Sequence, residues 1–308
     1  MKDLSHNHLI VIAGPTASGK TSLAIELALH LKCEIISADS RQFYREISIG
    51  TAKPSENELG QVKHHFINNK NLEELYSAGE FEKDVISLLP SLFEHQKIVI
   101  MTGGSGMYID AVCNGFDELP RSISIREELN KAYRDKGISY LQKELKLKDP
   151  NHFINVDQKN PQRLIRALEI CRITNQPYSS FLNRKNKPRD FEIHKIALEI
   201  DKEILQDRID KRVDEMIDKG LENEVRNVFN KKDLNSLNTV GYKELFEHIE
   251  NKSSLSESIE KIKLNTKKYA KRQVTWFKRD SRYFWINSID QKERMNDVVS
   301  YLKTRNLK

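Results

Sequence analysis

Cysteine is scarce in this 308-residue sequence: Cys33, Cys113 and Cys171 are the only three, far apart in apolar or helical stretches. The absence of a C-x-x-C pair and of Cys/His ligand spacing argues against a disulfide framework and a structural zinc module. Long apolar runs are missing too. No segment reaches the 18 residues of a membrane helix, and the run that ends at Gly14 covers six residues, too short for a secretory leader. A soluble, cytoplasmic protein with no membrane partner is expected. Internal repeats and low-complexity tracts are also absent, and 38% hydrophobic residues suffice for one large domain or two ordinary ones. Histidines pair once, at His64-His65. Neighbours in a strand or helix point different ways, which favours a loop or packing role over metal binding.

Acid and base are not evenly spread. The net charge is +6, yet residues 261–282 hold Lys261, Lys263, Lys267, Lys268, Lys271, Arg272, Lys278, Arg279 and Arg282 against Asp280 alone. The rest of the chain is therefore slightly acidic. Such a stripe is either a solvated helix face or a polyanion-binding surface, and Tyr269, Trp276 and Phe277 interleaved with the charges suit nucleic acid.

The strongest local pattern is G-x-x-x-x-G-K-[ST] over Gly14, Pro15, Thr16, Ala17, Ser18, Gly19, Lys20 and Thr21, between an apolar run and a helical stretch. Its backbone N–H groups and the following helix N-terminus are suited to a phosphate chain. Lys20 supplies a charge there and the Thr21 hydroxyl a Mg²⁺ ligand. Short β-rich runs at Leu9–Ala13, Glu34–Ser37, Lys97–Met101, Lys195–Ile200 and Tyr283–Ile286 alternate with helical patterns, which predicts a parallel sheet flanked by helices. The gap before Lys195 is too long for one crossover helix. We therefore expect a P-loop NTPase-like α/β core from residues 1–115 and 190–308. An all-helical insertion fills 116–189, with helices at Arg126–Asp135, Ser139–Leu147 and Pro161–Ile173, a breaker at Asp149-Pro150 and a closing loop over 183–189. Ligands collect beyond the carboxyl ends of such strands, so the P-loop, Asp39 and the turn Gly103-Gly104-Ser105-Gly106 should share one site. The strand before that turn ends in Thr102 and not in the acid that commonly holds Mg²⁺ in ATPases, which weakens an ATPase reading.

The stretches GPTASGKT, SADSRQFYREISIGTAKP, GGSGMYI, PQRLIRALEI and KRQVTWFKRD, in this order along nearly the whole chain, resemble the tRNA dimethylallyltransferase family. The resemblance implies transfer of a dimethylallyl group from dimethylallyl diphosphate to N6 of the adenosine 3′ to the anticodon, in tRNAs that read codons beginning with U. The loop from Gly14 to Thr21 would then hold the donor's diphosphate with Mg²⁺. Thr16 and Arg212 would neutralise the leaving group, and Asp39 would take the N6 proton. Contacts with the tRNA anticodon stem-loop would come from Asp39, Ser40, Arg41, Gln42, Ser105, Arg126, Gln162, Arg163, Leu164, Ile165, Arg166, Lys267, Lys268, Lys271 and Arg272. Within the helix, Leu164 and Ile165 have core spacing, which leaves Arg163 and Arg166 as the outward contacts. Ser105 stands where the family usually has threonine, and Asn68 where it often has an acid. With no C-terminal zinc-finger extension, a bacterial-type, monomeric enzyme is expected. An adenylate isopentenyltransferase, which needs no RNA-binding insertion, and a P-loop small-molecule kinase are the alternatives.

Overall fold

Leu9 to Ala13 is an unbroken apolar, largely β-branched run, and every residue of it is buried in β1 (His8–Ala13). A strand buried on both faces belongs in the middle of a parallel sheet. The structure, a computed structural model, describes residues 7–115, 119–182 and 187–307. After β1 the chain forms α1 (Lys20–Leu31), β2 (Ile35–Ser37), α2 (Glu56–Gln61), β3 (His64–His65), α3 (Ala78–Phe93), β4 (Ile98–Gly103) and α4 (Gly106–Asn114). Four helices follow: α5 (Ile123–Lys136), α6 (Ile138–Lys148), α7 (Pro150–Asn155) and α8 (Pro161–Thr174). The chain then makes β5 (Glu192–Leu198), α9 (Lys202–Asp218), α10 (Leu221–Asn227), α11 (Tyr242–Ile249), α12 (Leu255–Phe277), β6 (Phe284–Ile286) and α13 (Gln291–Thr304).

All six strands are parallel, in the order β3-β2-β4-β1-β5-β6. One core fills the sheet face under α3 and α4, where Phe43, Phe81 and Tyr108 pack ring to ring. Another fills the face under α1 and α13, with Leu23, Leu27, Val298 and Leu302 against Ile10 and Ile100. The chain divides into two compact units, Met1–Asn114 with Pro188–Lys308 and, separately, Gly115–Lys187. The sheet, α1–α4 and α9–α13 make the first.

In the second unit Leu129, Leu141, Leu145, Leu164, Ile165 and Leu168 form one buried cluster. Glu169 is buried beside it and offset by Arg166 at 2.9 Å and Arg126 at 3.4 Å. A buried carboxylate needs such partners, because desolvating an unpaired charge is costly.

The breaker at Asp149-Pro150 ends α6 at Lys148 and also starts α7: Asp149 accepts from the His152 N–H at 2.9 Å, and Pro150 occupies the first turn, where its missing N–H does no harm. Two expectations need correction. The β5 strand begins at Glu192, ahead of the apolar run at Lys195, because its polar first residues pair with β1 through the register His8↔Glu192. His64-His65 is a short edge strand, with the His65 ring against Glu34 at 2.5 Å. Residues 116–118, where the insertion was expected to open, and 183–186 of its closing loop lie outside the described residues.

Candidate functional site

Gly19 sits at φ 86 and caps α1 without any side-chain hydrogen bond, and no acid lies in that helix's first turn. The first-turn N–H groups of α1 therefore face no carboxylate of their own, the condition under which a helix start receives an anion. Ala17 also has positive φ, 62°, as the loop wraps inward. Lys20 folds back on the Pro15 carbonyl at 3.3 Å. Burial lowers its pKa to about 8, Asp39 counteracting and Arg212 reinforcing the shift. Arg212 reaches in from α9 and donates to the Thr16 hydroxyl at 3.1 Å.

A side chain far away in sequence sets the loop's shape. Gln273 of α12, buried, accepts from the Thr16 N–H and donates to the Gly104 carbonyl, both at 2.9 Å. The P-loop and the glycine turn after β4 are thus fixed to one amide. A β-carbon on Gly104 would lie 2.2 Å from the Gln273 amide nitrogen, and one on Gly106 would lie 2.3 Å from the Trp276 ring. That close approach explains the glycines of the turn.

Asp39 follows β2 and accepts from the Arg41 N–H at 3.1 Å. Beside it, the Ser105 hydroxyl accepts from the Ser40 N–H at 2.9 Å and donates to the Ser40 hydroxyl at 3.1 Å. The Tyr269 hydroxyl also bonds to Ser105, and burial, with Asp39 next in effect, pushes its pKa up to about 12. Gln42 accepts from the Ser37 hydroxyl and donates to the carbonyls of Thr51 and Ala52. Arg41 donates to the carbonyls of Asn235, Ser236 and Asn238, so it pins that turn.

Two adjoining cavities meet at these residues. Thr16, Lys20, Thr21, Ser37, Asp39 and Arg212 line a small one of about 40 Å³. Thr16, Asp39 and Arg212 also line a larger one of about 470 Å³, together with Ser40, Arg41, Tyr269 and Arg272. Besides the cations Lys20 and Arg212, the small cavity is lined by oxygen donors from Thr21, Ser37, Asp39 and Thr102, a set that suits Mg²⁺.

Several groups escaped the sequence reading. Glu224 of α10 accepts from the N–H groups of Ser48, Ile49 and Gly50 at 2.7–2.9 Å and from the Tyr242 hydroxyl at 2.6 Å. This anchors the loop whose Thr51 and Ala52 line both cavities. Asn68, the departure from the family's acid, accepts from Lys53. Its neutral amide supplies no charge to offset the burial that lowers the Lys53 pKa to about 8, and Glu224 and Glu46 counter it only in part.

The expected tRNA contacts fare unevenly. Leu164 and Ile165 are fully buried in their helical unit and present no surface to a ligand, which corrects their place among the contacts. Gln162 and Arg163 are exposed on α8, while Arg126 and Arg166 are held against Glu169. In the basic stripe Lys267 is paired with Asp210 of α9 at 2.7 Å and Lys263 with Asp214 at 2.8 Å. Lys268, Lys271 and Arg272 are exposed.

Residues 42–280 match the family described as IPP transferase. The chain is 48% identical to the tRNA dimethylallyltransferase of Christiangramia forsetii, over 95% of this chain and 97% of that one. Among solved structures it is similar to the tRNA isopentenylpyrophosphate transferase of Bacillus halodurans, with a TM-score of 0.71 and 31% identity, covering 97% of this chain and 96% of that one. A eukaryotic dimethylallyltransferase described as acting on tRNA shares the fold, with a TM-score of 0.78 at 24% identity over 98% of this chain and 80% of that one.

Proposed function

The chain belongs to the IPP transferase family, and from that premise we propose how its two cavities divide one prenyl transfer to tRNA. It is a dimethylallyltransferase. The small cavity takes the diphosphate of dimethylallyl diphosphate, and the larger one takes the dimethylallyl chain and the target adenosine, 3′ to the anticodon of tRNAs that read codons beginning with U. The observation that carries this reading is that Thr16, Asp39 and Arg212 border both cavities. Reacting atoms must meet where the two compartments join.

Nitrogen N6 attacks the allylic carbon, the bond from that carbon to the diphosphate oxygen breaks with its electron pair, and Asp39 accepts the N6 proton. The exocyclic amine is a weak nucleophile because its lone pair is delocalised into the ring, so a carboxylate that removes the proton as the bond forms lowers the barrier. Negative charge grows on the leaving oxygen, and Lys20, Arg212 and the Thr16 hydroxyl stabilise it where it appears. Mg²⁺, when bound at the Thr21 hydroxyl, would neutralise further charge on the diphosphate. Tyr269, kept protonated, and Ser105 hold Ser40 and the rim of the larger cavity in place.

The flipped adenosine would be flanked by Ser40 and Arg41 in the larger cavity, whereas Gln42 lines the small one, and Lys268, Lys271 and Arg272 on α12 and Gln162 and Arg163 on α8 meet the RNA backbone. No helix among the described residues is long and apolar enough to cross a membrane, and we place the enzyme in the cytoplasm as a monomer. Supplying the protein with radiolabelled dimethylallyl diphosphate and either unmodified tRNA or AMP tests the reading. Label in tRNA alone is expected. Label in AMP would mark an adenylate isopentenyltransferase, and label in neither acceptor would remove prenyl transfer.

A further inference from the structure

Away from the P-loop, at the amino ends of the central strands, lies a cluster that the transfer reaction does not use. His8 opens β1, and Glu192 and His194 stand at the first and third positions of β5. The register sets His8 beside Glu192 and Ile10 beside His194. Residues two apart on a strand share a face, so the three side chains rise together from one rigid pair of strands. His8 Nδ1 lies 3.2 Å from His194 Nε2 and 3.6 Å from Glu192 Oε2, and the last two atoms are 3.8 Å apart. Zinc binds imidazole nitrogen and carboxylate oxygen at about 2.0–2.2 Å, and tetrahedral bonds of that length place ligand atoms roughly 3.3–3.6 Å apart. One ion can therefore reach all three atoms with only small side-chain adjustments.

We propose that His8, Glu192 and His194 form a binding site for a zinc-type transition-metal dication. Two imidazoles and one carboxylate favour zinc and its neighbours in the first transition row over Mg²⁺. The site is thereby chemically separate from the oxygen-lined cavity at Thr21. The histidine side chains are 14% and 7% exposed and Glu192 is 65% exposed. Entry, and a water as fourth ligand, are thus available on the glutamate side. An ion there would clamp β1 to β5, and because the site is assembled only in the folded chain, binding would stabilise the protein in proportion to the logarithm of free metal.

Zinc chloride titrated into the full-length, chelator-treated protein, followed by calorimetry and by thermal melting, tests the assignment. One zinc per chain and a zinc-dependent rise in Tm are expected. Glu192→Gln, at an exposed position, should fold and weaken zinc binding by ~10-fold or more, and His194→Ala should abolish the site. Should His194→Ala fail to fold, Glu192→Gln alone decides. The absence of zinc uptake would overturn the proposal. So would uptake of equal strength in Glu192→Gln, which would put the metal on others of the nine histidines.

Discussion

Lys20 shows how the proposed phosphate site is tuned at the scale of one residue. Burial places its pKa at about 8 in the ligand-free protein, whereas a bound diphosphate favours the ammonium and must raise it. Donor affinity is therefore complete below about pH 8 and falls as the pH rises above it, by up to about tenfold per unit. Dissociation constants for dimethylallyl diphosphate between pH 7 and 9.5 should show this bend in the wild type and lose it in Lys20→Ala. An affinity independent of pH would place another group at the phosphate. Gln273 is the second test at this scale. Replacing it with leucine keeps its bulk but strips partners from the Thr16 N–H and the Gly104 carbonyl, a loss of about 2 kcal/mol or more of stability. Urea unfolding should show that loss and donor binding should weaken with it; unchanged values for both would mean that the clasp is not needed. Nothing near Gln273 in the sequence points to this role, since its partners lie 257 and 169 residues away. The shared place of Asp39 and Lys20 was legible, because each follows the carboxyl end of an apolar strand, and both line the small cavity.

Among the elements, α12 changes most between sequence and structure. Its charges read as one stripe, but helical geometry divides them between faces. Lys263 and Lys267, four residues apart, turn toward Asp214 and Asp210 of α9, and Gln273 and Phe277 face the core. The side chains left for RNA phosphates are Lys268, Lys271 and Arg272. Changing these three to alanine should flatten the slope of log affinity for tRNA against log salt by about two to three units, at about 0.7–0.9 per contact. Donor binding should hold except for any share due to Arg272 at the cavity. Lys267→Ala should leave the slope unchanged, because its ammonium already has a partner. If the folded triple variant kept the wild-type slope, α12 would be a solvated face. Strands and helices themselves were legible where apolar periodicity was strong. The first residues of β5 were not, because pairing with β1 holds polar side chains in a strand.

For the whole molecule, the alternation of β-rich and helical runs and the long gap before β5 announced a parallel sheet with a helical insertion. The strand order was not legible, since it depends on which buried faces pack across crossovers that carry no local mark. The loop anchored by Glu224 was likewise hidden: an acid on α10, more than 170 residues away, supplies the acceptor for three successive N–H groups. These long-range ties help bring the P-loop, Asp39, Arg212 on α9 and Tyr269 on α12 to two adjoining cavities, the centre proposed for the transfer. A single-turnover experiment, with nucleoside mass spectrometry as the readout, tests that centre most directly. Enzyme pre-loaded with dimethylallyl diphosphate is mixed with unmodified tRNA, for wild type and for Asp39→Ala. The wild type should add one dimethylallyl mass to a single adenosine, and Asp39→Ala should do so at least ~100-fold more slowly, with tRNA affinity within a few-fold of normal. A near-normal rate in Asp39→Ala, or no prenylated adenosine from the wild type, would contradict the account.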